Sequence, residues 1–379
     1  VKLTELSRYR LLRHRYLIIT LILFLMVSLI ITITLSGLFS IFNSFRYYVA
    51  PGENDIIIID VGSRAPFTSS IDISIIENIS QIKGVSRITF EVIVPVYVND
   101  IGAIMRGISS RDITGFIDME LTQGNYLTQL DYDGVLIGHK LADRLGVSYG
   151  DYIIVRGVLR NTYHSVRVIG IFISSVPYDY EIIAPIDMAR EFRGFSQSQA
   201  SLIRIETAPE ADASMIRNKV NSILLSMSNI TRSLSLQRMG AVSVEDFTSL
   251  YMGKLGFNPY TLLVIPMVIL FISIFIIKYL VLGLIDDNAS ILYTLYSLGL
   301  SWNDIIRLII LILLPYIALS TALGYIIGYL AILYIWSMND IRFIIHVMPP
   351  SINYYIPIVL FLILTLATTY FIFKARRIT

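Results

Sequence analysis

Residues able to do covalent or metal chemistry are scarce in this chain of 379 residues, which has no cysteine and four histidines: His14, His139, His164 and His346. Thiol catalysis and thiolate metal sites are therefore excluded, no H-E-x-x-H occurs, and the histidine spacing offers no ligand cluster, so no metal site is expected. A serine–lysine site within a bilayer would need a lysine deeper in an apolar run than Lys278, which lies near the end of its run and reads as snorkelling. No apolar run carries a series of Asp, Glu or His, which argues against proton or ion coupling. Gly134 and Gly138 could suggest a phosphate loop, but no G-x-x-x-x-G-K-[ST] occurs, so this sequence holds no P-loop. With Gly146 and Gly150 they read as turn glycines at element ends. An enzyme reading is not supported, and no cofactor is expected in this chain.

Hydrophobicity supplies the organisation. Of all residues 55% are hydrophobic and only 15% charged, against about 25% charged in an ordinary soluble protein. Uncharged apolar runs cover Tyr16–Phe45, Gly256–Ile277, Leu308–Met338 and Ser351–Phe373, each long enough for a membrane-spanning helix of about 20 residues. The order is one span, a polar segment, then three spans. Lys2, Arg8, Arg10, Arg13 and Arg15 precede the first span, and Lys374, Arg376 and Arg377 follow the last. By the positive-inside rule both termini are expected in the cytoplasm, with the large segment outside a cell membrane. The first run is too long for a signal-peptide core and no A-x-A-like site follows it, so it reads as an uncleaved anchor. The expected organisation is a cytoplasmic N-terminus (1–15), spans at 16–45, 259–284, 305–338 and 353–374, and an extracytoplasmic domain at 46–258. A cytoplasmic loop (285–304), an outer loop (339–352) and a cytoplasmic C-terminus (375–379) complete it. The net charge of +2 gives no reason to expect a nucleic-acid partner.

The outer segment reads as mixed α/β. Ile56–Val61 forms a buried-strand run, and Ile71, Ile75, Ile76, Ile79 and Ile82 have helical spacing. Strands are predicted at Ile88–Val98, Ile104–Ile108, Gly134–Gly138, Tyr152–Val155, Val166–Phe172, Ile182–Pro185 and Leu202–Glu206. Helices fit at Lys140–Leu145, Met188–Phe192, Glu210–Met227 and Val244–Leu255. The first strand–helix–strand and the last strand–helix can form one subdomain, with the β-rich middle inserted between them. Without disulfides this domain must fold on its own core.

Leu121-Thr-Gln-Gly124-Asn-Tyr126, Gly134 through Val147, Gly150-Asp151 and Val166-Arg-Val-Ile-Gly170-Ile171 resemble the outer core domain of MacB-type ABC transporter permeases. Ile82-Lys-Gly84-Val85, Arg106-Gly107-Ile108 and Ala184-Pro185-Ile-Asp-Met-Ala189 are similar to flanking pieces of it. Leu298-Gly299-Leu-Ser301-Trp-Asn-Asp304-Ile305 resembles the "LGaS..dI" signature of FtsX-like permease domains. The resemblance covers nearly the whole chain and implies a four-span, 1+3 α-helical membrane protein. Its large extracytoplasmic α/β domain would be a MacB-like core with an inserted β-rich subdomain.

Within the loop after the second span, Ile291, Leu292, Leu295 and Leu298 give an amphipathic helix. Gly299 can end that helix, Ser301 or Asn303 can cap the next, and Asp304 favours the next helix's dipole. The resemblance implies a coupling helix seated on a cytoplasmic ABC ATPase, with Ser290, Tyr293, Tyr296, Leu298, Gly299, Ser301, Trp302 and Asp304 as partner contacts. The family has an Arg-Glu pair opening this segment where Ser290 and Ile291 stand here. The alternative is an interfacial helix with Tyr293, Tyr296 and Trp302 at headgroup level. In the spans, Ser28, Thr32, Ser36 and Ser40 recur every four residues, as do Ser320, Gly324 and Gly328, spacing that lets helices approach closely in lipid. Either stripe can pack within one subunit or across a dimer. Pro315 is expected to kink the third span. Asn78-Ile-Ser80 and Asn229-Ile-Thr231 are glycosylation candidates on the outer side, whereas Asn288-Ala-Ser290 falls in the inner loop.

The leading function class is a permease subunit, homodimeric or paired with a paralogue, that transmits ATP-driven motion to its outer domain for export or release of a substrate. ATP and magnesium would belong to a separate ATPase. An FtsX-like regulator of a cell-surface enzyme is the second class, and a passive surface anchor or receptor the third.

Overall fold

The computed structural model describes residues 14–49, 52, 54–109, 111–113, 119–174, 177–231, 238–254, 256, 259–338 and 352–375. Lys2, Arg8, Arg10, Arg13, Arg376, Arg377, His346 and residues 339–351 of the expected outer loop lie outside them. The elements run α1 (His14–Val49), β1 (Ile56–Asp60), β2 (Ile71–Asp72), α2 (Ile76–Ser80), β3 (Val85–Val98), β4 (Ile101–Ile108), β5 (Met119–Gly124), β6 (Gly134–Gly138) and α3 (His139–Leu145). They continue with β7 (Tyr152–Gly157), β8 (Tyr163–Ser174), β9 (Glu181–Pro185), α4 (Ile186–Arg193), β10 (Gln199–Ala200), β11 (Leu202–Thr207), α5 (Ala213–Thr231) and β12 (Met239–Ser243). The last are α6 (Val244–Lys254), α7 (Pro259–Asp287), α8 (Ala289–Ser297), α9 (Trp302–Met338) and α10 (Tyr355–Ala375). The chain divides into two compact units, one holding the long helices from Pro259 onward with α1 as far as Ser40, the other built on Ile41–Asn258.

In the helical unit α1, α7, α9 and α10 are each long and apolar enough to cross a membrane. Their inner faces share one core that includes Phe24, Ile31, Ile277, Leu284, Ile305, Leu313 and Leu364. Their outer faces carry Phe271, Leu330 and Leu366, all more than half exposed, an arrangement suited to lipid rather than water. The two small-residue stripes meet within one chain. A β-carbon on Gly324 would lie 2.6 Å from the Leu25 carbonyl oxygen and 2.7 Å from Ser28 Cβ, and one on Gly328 would lie 3.0 Å from Thr32 Cβ. Ser28 Oγ donates to the Thr321 carbonyl at 2.9 Å, and Ser36 and Ser320 are buried. Lipid offers these helices no hydrophobic drive to associate, so close backbone packing and this interhelical hydrogen bond take its place. Helix α9 continues through Pro315, and α7 likewise contains Pro266.

The second unit is built on a ten-stranded sheet in the order β12-β1-β11-β3-β4-β9-β6-β8-β5, with β7 pairing both β3 and β8. The double pairing closes β3, β4, β9, β6, β8 and β7 into a ring through Val96↔Gly157, Tyr97↔Arg156 and Val98↔Val155. Val94, Met105, Val135, Val155, Val168 and Ile182 belong to the core of this ring. A separate core joins Ile56 and Ile58 of β1, Ile203 and Ile205 of β11, and Ile216, Val220 and Leu224 of α5. The first and last parts of the domain thus share a core, with the ring inserted between them. The long strand β3 serves both, pairing β11 along its first half and β4 along its second.

Helical spacing overextends the helix at Ile71–Ile82. Ile71–Asp72 pairs with β10, the Asp72 carboxylate accepts from the Ser74 N–H at 2.9 Å, and the helical part is a tight turn at Ile73–Ile75 followed by an α-helix at Ile76–Ser80. An aspartate that caps its own following turn competes with a helix running through it. Strands β5 and β12 escape the sequence reading for another reason. Strand β5 is an edge strand that is mostly exposed, and β12 is a short run whose two buried residues, Met239 and Ala241, flank Gly240, so neither reads as an apolar strand in the sequence.

Gly324→Leu should weaken the helical unit, since the added side chain has to displace the backbone of α1. We expect a lower midpoint of thermal unfolding in detergent, by the equivalent of about 1–3 kcal/mol, and little change for the exposed control Leu330→Ala. Equal, small effects from both would show that the contact contributes nothing.

Candidate functional site: an aromatic turn and a buried charge cluster

Helix α8 is set between two long helices by short, fully specified connections. A single residue, Asn288, separates it from α7; its side chain is completely buried and donates to the Leu284 carbonyl at 2.6 Å. A glycan has no room there, although the sequence contains the sequon. One face of α8 buries Leu292 and Leu295 in the helical core. Ser290, Tyr293 and Tyr296 follow one another at i, i+3 spacing on the exposed face.

At the end of α8, Gly299 has φ +97°, the Gly299 N–H donates to the Tyr296 carbonyl at 2.9 Å, and the Leu300 N–H donates to the Leu295 carbonyl at 3.2 Å. These two bonds make a Schellman motif, and the left-handed residue that it needs is glycine. Two residues later Ser301 caps α9. Its Oγ accepts from the Asp304 N–H at 3.3 Å and donates to the Asp304 carboxylate at 2.6 Å. Trp302, the first residue of α9, stacks on Tyr296 at 5.5 Å between centroids and meets Tyr293 edge-on at 6.2 Å. A shallow cavity of about 540 Å³ is lined by Tyr296, Gly299, Leu300, Ser301, Trp302 and Asn303.

The eight residues singled out from the sequence therefore divide by role. Gly299, Ser301 and Asp304 shape the turn. Ser290, Tyr293, Tyr296 and Leu298 present surface, with Leu298 73% exposed, while Trp302 is half-buried against the tyrosines. The arrangement can bind a groove or a headgroup layer; among the described residues no group of three or more metal-ligating side chains forms. Of the glycosylation candidates, Asn78 is exposed on α2 and donates to Met227 Sδ at 3.3 Å, and Asn229 is exposed on α5.

The sequence reading missed a second constellation, in the other unit. Arg106 on β4 is wholly buried, with its Nε on Glu181 Oε2 at 2.8 Å, Nη2 on Glu181 Oε1 at 3.2 Å and Nη1 on Glu91. The guanidinium lies against the rings of Tyr48 and Tyr178, at 4.9 and 4.6 Å from their centroids. Burial pushes the Glu181 carboxyl upward, and the neighbouring Arg106 opposes it. The available signal was a charge inside each of the apolar runs of β3 and β4 and one at the head of β9, since a buried charge has to find a partner.

Asp55, just before β1, is also buried, and its Oδ2 accepts from the Gly52 N–H at 3.2 Å. Burial raises its carboxyl to about 6, while Arg204 and the Gly52 bond pull the other way. A carboxyl raised on folding contributes stability that is complete below its unfolded value, near 4, and is lost as pH rises through about 6. Asp55→Asn should therefore stabilise the protein at about pH 7.5, by up to roughly 2–3 kcal/mol, and the gain should shrink toward zero near pH 4. Thermal unfolding across that range checks the sign, and a gain that grows on acidification would refute it.

Residues 18–223 match the family model of the MacB-like periplasmic core domain, and residues 263–379 that of the FtsX-like permease C-terminal domain. Among solved structures, the periplasmic region of MacB from Actinobacillus actinomycetemcomitans is similar at 15% identity over 52% of this chain and 91% of that one, with a TM-score of 0.37. The extracellular domain of YknZ, a noncanonic ABC-type transporter from Gram-positive bacteria, is similar at 14% identity over 50% of this chain and 100% of that one, with a TM-score of 0.36. A domain of a putative permease from Porphyromonas gingivalis is similar at 14% identity over 50% and 88% of the two chains, with a TM-score of 0.34. No curated protein matches the chain.

Proposed function

The chain belongs to the family of the MacB-like periplasmic core domain, and on that premise we propose that it transmits ATP-driven motion from a separate cytoplasmic ATPase to its outer domain. Permeases of this family are membrane components of ABC systems, and this chain has the four apolar helices and the large mixed α/β domain of such a subunit. The finer reading rests above all on α8: a short amphipathic helix, ended by a Schellman turn, presents two tyrosines and a leucine outward beside a stacked tryptophan. A surface of this kind suits a groove in a protein partner, where buried aromatics dominate the binding energy. The partner is a cytoplasmic ABC ATPase carrying its own ATP and magnesium, and the permease acts as a homodimer or with a paralogue. Motion of the outer domain drives export or release of a substrate without a central channel. In this proposal the basic residues that flank the first and last spans keep both termini in the cytoplasm. An FtsX-like regulator of a cell-surface enzyme would use the same machinery and differ only in what the outer domain touches.

Tyr296→Ala combined with Trp302→Ala should leave the protein inserted and its outer domain folded, yet abolish co-purification of the ATPase. Loss of a buried interface aromatic commonly costs more than about 1–2 kcal/mol, enough to dissociate a modest complex. Wild-type recovery of the ATPase would refute docking through this turn and favour the headgroup-level reading. Topology can be tested independently because the chain has no cysteine. A membrane-impermeant maleimide applied to intact cells should label Ser222→Cys on α5 and spare Ser297→Cys on α8. The reverse pattern would overturn the orientation.

A further inference from the structure

The last carbonyls of an α-helix have no partner within the helix, and water, a C-terminal glycine or a nearby side chain ordinarily satisfies them. Helix α1 is completed differently. The Tyr48 carbonyl, one residue before the helix ends, accepts from Arg106 Nη2 at 3.1 Å and from the Tyr178 hydroxyl at 3.2 Å. These donors lie 58 and 130 residues further along the chain. A positive group at a helix C-terminus also meets the favourable end of the helix dipole.

The guanidinium cannot follow the helix on its own. Besides Tyr48 it holds Glu91 on β3 and, through two nitrogens, Glu181 on β9, so four of its five N–H donors are engaged. Strands β3, β4 and β9 are consecutive neighbours in the sheet and each supplies one of the three charges. The rings of Tyr48 and Tyr178 pack against the same guanidinium. Stability alone does not account for this, because a buried ion network can often be replaced by apolar residues without loss. What apolar residues cannot supply is a directional bond from the sheet to one carbonyl of the helix.

We propose that Arg106 is a positioning residue that joins the last turn of α1 to strands β3, β4 and β9, so that displacement of this helix end moves the sheet as one body. The transmission part of this inference rests on the ATP-driven motion proposed above. The joint itself does not.

Three forms of the full chain in lipid nanodiscs test it: wild type, Arg106→Lys, and a triple variant with Arg106→Met, Glu91→Gln and Glu181→Gln. The first measurement is amide hydrogen exchange without any partner. In both variants exchange at residues 44–49 should rise about tenfold, reporting local opening of the helix end, while strands β6 and β8 keep wild-type protection. The second measurement uses the reconstituted complex with its ATPase and spin labels at Asn43→Cys and Ser165→Cys. The wild-type distance between the labels should stay constant through the ATP cycle, since helix end and sheet move together. In the variants ATP hydrolysis should continue while that distance changes with nucleotide. Unchanged exchange at residues 44–49 in both variants would overturn the joint. A nucleotide-independent distance in variants whose helix end opens would overturn the transmission role. If the wild-type complex shows no ATP-dependent movement of the outer domain against its helices, the functional reading fails and the exchange result alone decides the joint.

Discussion

A guanidinium removed from water has to be neutralised and hydrogen-bonded nearly completely, and Arg106 imposes that demand on the outer domain. Meeting it fixes Glu91 and Glu181 on the two strands beside β4, so three strands are held in one relation by side chains as well as by their ladders. The same demand reaches the end of α1 through the Tyr48 carbonyl. A second device of the same kind ties α6 to the segment after β1. Near the end of α6, Lys254 Nζ donates to the Val61 and Ser63 carbonyls and the Tyr251 hydroxyl meets Ser63 Oγ at 2.7 Å. Within the outer unit, the end of α1 and the end of α6 are therefore each tied by hydrogen bonds to backbone, which apolar contact alone would not localise.

Different physics governs the helical unit. With lipid on the outside, association cannot rest on excluding water, and the contact of Ser28 and Thr32 with Gly324 and Gly328 works by bringing backbones close. The turn from α8 to α9 uses neither mechanism. Its geometry comes from one positive-φ glycine and one serine cap, local chemistry that holds whatever surrounds it. The aromatic surface beside it is thereby presented in a fixed orientation, which lowers the ordering cost of binding a partner.

How much of this was readable from the sequence depended on the range of the interactions. Apolar run length gave the four spans, because a bilayer imposes its thickness on every crossing segment. Gly299 and Ser301 were legible because helix stops and starts are local signals. Strand β3 was legible from its continuous apolar run, but its double role was not, since pairing partners more than a hundred residues away leave no local trace. The Arg106 cluster was hidden for the same reason: Glu91, Arg106 and Glu181 each look like an isolated charge until the sheet brings their strands together. Ile71–Ile82 shows a different failure, a true helical periodicity that one aspartate and a two-residue strand pairing cut short at its start.

The closed ring also sets an order of assembly. Its seam joins Val96–Val98 to Val155–Gly157, and its third charge, Glu181, leaves the ribosome long after α1 has done so. Contacts of such sequence separation form slowly, because loop-closure entropy has to be overcome before any of them contributes. Until the segment entering β9 arrives, the Tyr48 carbonyl lacks its Tyr178 donor and Arg106 has only one of its carboxylates, so the end of the first helix is incompletely tied. Maturation of this protein is therefore gated late: a membrane helix made at the start of synthesis acquires its finished end only when a strand more than 130 residues downstream has been delivered.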